Sequence, residues 1–176
     1  MIFSPVGLAG AFIVEPEKRE DHRGFFARTW SAEEFQENGL NPKLVQCSIS
    51  FNIRKGTLRG MHYQVAPFAE AKLVRCTMGK IFDAIVDLRP ESSTFRKHFS
   101  VVLDAENRKM LYIPEGFAHG FQTLEDQTEI FYQMSQSYSP GHARGLRWND
   151  PAFGISWPDP NPILLERDRD YPDFRI

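Results

Sequence analysis

The chain is poor in cysteine, with two in 176 residues. Cys47 and Cys76 lack the close paired spacing of a zinc site. They read as two buried thiols in a reducing cytosol rather than as a disulfide. Long apolar runs are missing too: none reaches the roughly 18 residues of a membrane span, so no membrane is expected as a partner. The opening stretch, MIFSPVGLAGAFIVEPEKRE, has no basic leader, and Gly and Pro interrupt its apolar residues. It reads as a first strand rather than a signal peptide, and the expected place is the cytoplasm. Charge of one sign is also lacking. With a net charge of −2 and a pI near 6.2, the chain has no general pull toward nucleic acid or an anionic surface. There is no repeat, low-complexity run or linker, and the length suits a single domain, 1–176, with a sizeable core.

What the chain does have is aromatic residues, 13% of the total with 15 Phe, which favours a sheet core or a pocket for something flat. From Leu44 the pattern is β nearly to the end. Val45–Phe51, Ala71–Cys76, Ile81–Leu88, Phe99–Leu103, Met110–Ile113, Gly120–Leu124 and Thr128–Met134 are short runs of strand type with turn signals between them. Met78-Gly79-Lys80 reads as one of those turns. Such spacing means an all-β sandwich or barrel. The clearest helix signal follows Ser31, the expected N-cap, with Glu34 at N3 completing a capping box and Gly39 and Pro42 ending it. The tail from Asn149, rich in Pro, Asp and Trp, is expected to wrap the barrel with short helices.

Two stretches carry chemistry. In Gly56-Thr57-Leu58-Arg59-Gly60-Met61-His62-Tyr63-Gln64 the alternation is that of a half-buried strand. Arg59 and His62 share a face only if Gly60 sits in a bulge, a device that re-aims side chains near active sites. A cation and a titratable ring on a rigid strand suit an anionic substrate with proton transfer beside it; a satisfied strand histidine is the plainer reading. In Ile113-Pro114-Glu115-Gly116-Phe117-Ala118-His119-Gly120-Phe121 a Pro-x-Gly turn delivers His119 onto the next strand.

The second stretch resembles a motif of the cupin superfamily of small jelly-roll barrels. Metal-binding cupins carry a His-x-His pair in their first motif, where this chain has His62-Tyr63-Gln64. With one histidine gone too few ligands remain for an open metal site, and neither a metal nor an organic cofactor is expected. Over Asp21 to Pro172 the chain resembles the dTDP-4-dehydrorhamnose 3,5-epimerase family. The landmarks include Asp21-x-Arg23-Gly24-x-Phe26, Lys72-Leu73-Val74-Arg75, Asp83-x-x-Val86-Asp87-Leu88-Arg89, Tyr138-Ser139-Pro140, Arg144-Gly145-x-Arg147-Trp148-Asn149-Asp150-Pro151 and Arg167-Asp168-Arg169, besides the two stretches above.

The resemblance implies a cupin jelly roll with short peripheral helices, a homodimer, and epimerisation of a nucleoside-diphosphate 4-keto-6-deoxy sugar at C3, C5 or both. His62 matches the base and Asp168 the carboxylate that holds it. Lys72 matches the cation facing the ketone oxygen, where enolate charge develops. Tyr132 matches the acid on the opposite face. Arg59 and His119 match positions lining the sugar and phosphate site, and Arg167 joins them. Arg23 and Phe26 match residues that reach the nucleotide, in part across a dimer interface, and Tyr138 matches an aromatic that stacks on the base. Taken singly, Lys72 reads as a solvated strand lysine, Tyr132 as a sheet aromatic and Asp168 as surface charge. Asp83 and Asp87 are assigned to structure. The rival readings are a 3,4-ketoisomerase, an inactive sugar-nucleotide binding module and a metal-dependent oxygenase.

Three positions depart from the family, all at the nucleotide end. Arg28 stands where a Glu is usual, Ser48 (after Gln46) where Asn is usual, and Ala143 where Glu is usual. A carboxylate can accept from the N–H of thymine or uracil, but a guanidinium only donates. Arg28 therefore suits either a base edge that accepts, as in cytosine or guanine, or a phosphate or solvent with dTDP as the ligand.

Overall fold

Alternation of apolar and polar residues sets up strands that must bury one face, and two such sheets satisfy each other by packing together. A computed structural model describes residues 1–175. The N-terminal run forms two strands, β1 (Ile2–Pro5) and β2 (Phe12–Glu15), joined through Gly7 and Gly10, rather than one. A small hairpin follows, β3 (Arg19–Asp21) and β4 (Gly24–Phe26), then helix α1 (Ala32–Glu37). The barrel strands are β5 (Gln46–Asn52), β6 (Leu58–Gln64), β7 (Lys72–Met78), β8 (Lys80–Asp87), β9 (His98–Asp104), β10 (Met110–Ile113), β11 (Phe117–Thr123) and β12 (Thr128–Met134). Short β13 (Ala143–Gly145) and helix α2 (Glu166–Arg169) complete the elements.

The strands form a six-stranded sheet, in the order β1-β2-β10-β7-β12-β5, facing a five-stranded sheet, β13-β6-β11-β8-β9. This is the expected all-β jelly roll, antiparallel in every named pairing. Met78-Gly79-Lys80 is not a hairpin turn. It is a corner at which the chain leaves β7 of one sheet and enters β8 of the other. Gly79 sits there at φ +76°, and a Cβ on it would lie 2.5 Å from Oγ1 of Thr128, so only glycine turns this corner without displacement.

The interior core, including Val74, Cys76, Ile85, Leu111, Phe121 and Ile130, fills the space between the sheets. A second cluster packs Phe35 of α1 with Leu73, Met110 and Tyr112 on the outside of the six-stranded sheet. The tail covers the other sheet through Phe153, Trp157 and Phe174, joined by Leu146 just before it. Ser31 does cap α1, its hydroxyl accepting from the Glu34 N–H at 3.5 Å. Only half of the capping box forms. The Glu34 carboxylate takes the Met1 ammonium and Arg28, each at 2.6 Å, since charged donors outcompete a neutral amide. Cys76 is buried as expected, but Cys47 is exposed, because it shares the outward face of β5 with Ile49 and Phe51. Among the described residues no helix is long and apolar enough to cross a membrane.

Candidate active site

Between the sheets, away from the apolar core, lies an open cavity of about 340 Å³. Its geometry begins with glycine. On β11, His119 and Phe121 are two residues apart, yet their partners on β6, His62 and Arg59, are three apart. The extra residue is absorbed at Gly60, whose φ is +140°. A side chain there would put its Cβ 2.5 Å from the Cα of Gly120. The bulge breaks the period of two and turns Arg59 and His62 into the same cavity. Met61 faces the opposite way, into the cluster under the tail.

His62 Nε2 lies 2.8 Å from Oδ1 of Asp168. Asp168 sits in α2, buried to 1% exposure, although its neighbours are charged. Burial alone would raise its pKa. Hydrogen bonds from His62, from the Gly60 N–H at 3.3 Å and from Arg167 Nε at 3.2 Å reverse that and hold it below the ordinary carboxylate value. An ionised carboxylate only accepts. Nε2 of neutral His62 must then carry the proton, which leaves the Nδ1 lone pair as the basic one. Arg167 Nη2, 3.5 Å from the same Nε2, adds no bond, since both atoms are donors.

A second pair stands beside the first. His119 Nε2 is 2.5 Å from Oδ1 of Asp83, with both residues buried. Asp83, read from the sequence as structural, thus fixes the ring of a residue that lines the cavity. The facing wall comes from the other sheet. Tyr132 on β12 presents its ring edge-on to His119, centroids 6.1 Å apart, and Lys72 on β7 lines the same cavity. Burial pushes the Tyr132 phenol well above its ordinary pKa, Asp83 adds to this and Arg59 opposes it. The phenol is therefore held protonated.

Gln64, standing where metal-binding cupins have their second histidine, ties down a loop instead. It donates to Phe68 O and Ser137 O and accepts from Ser139 N at 2.6 Å. Gln46 accepts from the Tyr138 N–H at 3.1 Å and donates to Ser48. Tyr138, 58% exposed, is so placed at the cavity rim with Gln46 and Ser48. Among the described residues no three His, Cys, Asp or Glu side chains gather as ligands for one metal ion.

Of the expected residues, His62, Lys72, Tyr132 and Asp168 meet in this cavity, as do Arg59, His119 and Arg167. Arg23, Phe26 and Arg28 do not line it within one chain. Arg23 pairs with Asp21, Phe26 is 75% exposed, and Arg28, itself largely exposed, pairs with Glu34. The sequence reading passed over Gln64, Tyr171, whose ring meets His62 edge-on at 5.9 Å, and Glu70, which pairs with Lys72 at 3.2 Å. Glu70 had a signal: it lies two residues before Lys72, the same-face spacing of an extended chain.

The chain is similar to known proteins along nearly its whole length. The family model for dTDP-4-dehydrorhamnose 3,5-epimerase matches residues 5–175. A dTDP-4-dehydrorhamnose 3,5-epimerase from Sinorhizobium fredii is 43% identical over 175 residues, covering 99% of this chain and 90% of the relative. The crystal structure of the enzyme of that name from Elizabethkingia anophelis superposes with a TM-score of 0.96 at 38% identity, covering 99% of this chain and 96% of the other. A Bacillus anthracis structure of the same name, with TDP and PPi bound, gives 0.94 at 37% identity, covering 98% and 99%. With a cupin-type barrel and its two histidine–carboxylate pairs in place, the chain belongs to the dTDP-4-dehydrorhamnose 3,5-epimerase family of isomerases.

Proposed function

We propose that this chain epimerises a nucleoside-diphosphate 4-keto-6-deoxy sugar, dTDP-4-dehydro-6-deoxyglucose, at C3, C5 or both. The observation that carries the reading is the placement of His62 and Tyr132 on facing sheets of one cavity. Inversion at carbon needs proton removal from one face and return to the other. A 4-ketone makes the hydrogens on C3 and C5 removable, because the electron pair left behind spreads onto the ketone oxygen. His62 takes the proton through Nδ1, and Asp168 stabilises the imidazolium that results. Lys72, on the wall with Tyr132, meets the enolate oxygen; preorganised charge of this kind is often the largest catalytic term. Tyr132 then delivers its proton to the carbon from the opposite face; solvent returns a proton to Tyr132 and takes the one held by His62, which resets both groups. No net redox change occurs, and no cofactor enters the scheme. Arg59, His119 and Arg167 hold the sugar and its diphosphate.

The nucleotide end calls for a second subunit. β5 is an edge strand of its sheet, and its outward face carries Ile49 at 64% and Phe51 at 47% exposure. Open apolar edges favour association. In the homodimer we propose, this face is covered, and the exposed Arg23, Phe26 and Arg28 of one subunit approach the nucleotide in the other. The Bacillus anthracis relative, with TDP and PPi bound, supports a thymidine nucleotide as the carrier.

The test is incubation of dTDP-4-dehydro-6-deoxyglucose with the protein in deuterated water, followed by NMR. Deuterium at C3 or C5 with inverted configuration is expected. Migration of the carbonyl to C3 would identify a ketoisomerase, and no exchange at any carbon would overturn the reading.

A further inference from the structure

We infer that Glu70 is a positioning residue: its carboxylate fixes the Lys72 ammonium at the spot where enolate charge develops. The inference rests on the reaction proposed above. Both side chains line the cavity, and they are almost enclosed, Lys72 at 11% and Glu70 at 9% exposure, with Nζ 3.2 Å from Oε1. Among the described residues neither has another ion pair or side-chain hydrogen bond. A lysine stem has four rotatable bonds and a compact head that selects no direction by itself. A nearly buried ammonium with no counter-charge would be costly and would turn toward water. Glu70 removes both problems. It holds the head from the side by charge, leaving the ammonium open toward the cavity. The arrangement repeats what Asp168 does for His62 and Asp83 for His119: the two histidines and the lysine of the site are each held by a carboxylate.

The experiment compares Glu70→Gln and Glu70→Leu with the wild type, alone and in a Lys72→Met background. Gln keeps an acceptor without charge, and Leu keeps only bulk. Removing an oxyanion donor outright costs roughly 10²–10³ in kcat. Misaligning one should cost less, about tenfold for Gln and up to about 100-fold for Leu, with KM and dTDP affinity changed less than about twofold. In the Lys72→Met background the Glu70 substitutions should have no further effect. Lysine-selective 15N NMR gives a readout independent of turnover: a Lys72 ammonium resonance protected from water exchange in the wild type, lost in Glu70→Leu. Wild-type kcat in Glu70→Leu, a loss confined to KM, an additive loss without Lys72, or an unprotected Lys72 ammonium would each overturn the proposal. Failure of the reaction itself would show differently, as a wild-type protein that exchanges no sugar hydrogen.

Discussion

His62 and Asp168 are 106 residues apart in sequence, and their side chains meet at 2.8 Å. The bond fixes which imidazole nitrogen is free, so the two residues act as one unit. Replacing His62 by Asn is expected to abolish deuterium incorporation while the far-UV circular dichroism stays that of the wild type. Asp168→Asn is expected to lose about 10²–10⁴ in kcat, since an amide no longer enforces the tautomer. Exchange at near wild-type rate in His62→Asn would remove the ring from the role of base.

Gly60 gives the second prediction. Gly60→Ala meets two objections at once: a φ of +140°, which L residues rarely adopt, and a Cβ 2.5 Å from the Cα of Gly120. The backbone must shift where β6 and β11 pair, and Arg59 and His62 move with it. A loss of roughly 1–3 kcal/mol is expected from backbone strain alone, with a disproportionate fall in kcat. Thermal melting and kinetics together check it. An alanine variant with native melting temperature and full activity would show that the bulge tolerates a side chain.

That bulge also marks how far the sequence could be read. The period of two announced β6, and the glycine within it marked where that period could break, which set the condition for Arg59 and His62 to share a face. Most strands were legible for the same reason: alternation and turn residues are local. The corner at Gly79 was not, because a turn between two sheets and a turn within one use the same residues. Nor was the burial of Asp168, which sits in a run of charges and owes its enclosure to the tail folding back on β6. Asp83 and His119 lie on neighbouring strands, β8 and β11, that are far apart in sequence. No local pattern joins them. Glu70 was one alternation away from an expected residue and was overlooked.

Asp87, outside the cavity, sets a pH dependence of stability. It is fully buried and accepts from Arg89, Ser92 and Thr94. Burial alone would raise its pKa, but these donors lower it to about 2. A depressed carboxylate stabilises the fold above its unfolded pKa, near 4, and that contribution disappears as pH falls toward 2. The shift corresponds to about 2–3 kcal/mol at neutral pH. Asp87→Asn is therefore expected to unfold at lower urea concentration at pH 7, with the gap to wild type narrowing between pH 4 and pH 2. A gap independent of pH would place the effect in packing instead of ionisation.

The last prediction concerns the residues that one chain leaves outside its own cavity. Phe26 is 75% exposed on a short hairpin, and its neighbour Arg28 is occupied by Glu34. If Phe26 serves the nucleotide of the other subunit, a defect there and a defect in the base belong to different sites. Each variant alone should be weak: His62→Asn lacks the base, and Phe26→Asp loses the contact that binds the nucleotide. In a mixed dimer one site carries both lesions and the other carries neither. Mixing the two after mild dissociation should thus restore up to about a quarter of wild-type activity, since random pairing makes half the dimers mixed and half their sites intact. Contact within a single chain predicts no recovery at all, because no site would then be free of damage. Sedimentation at micromolar concentration supplies the companion measurement. A fully active monomer would end both the dimer and the shared site, whereas dissociation by Phe51→Lys with a parallel loss of nucleotide affinity is the outcome expected here.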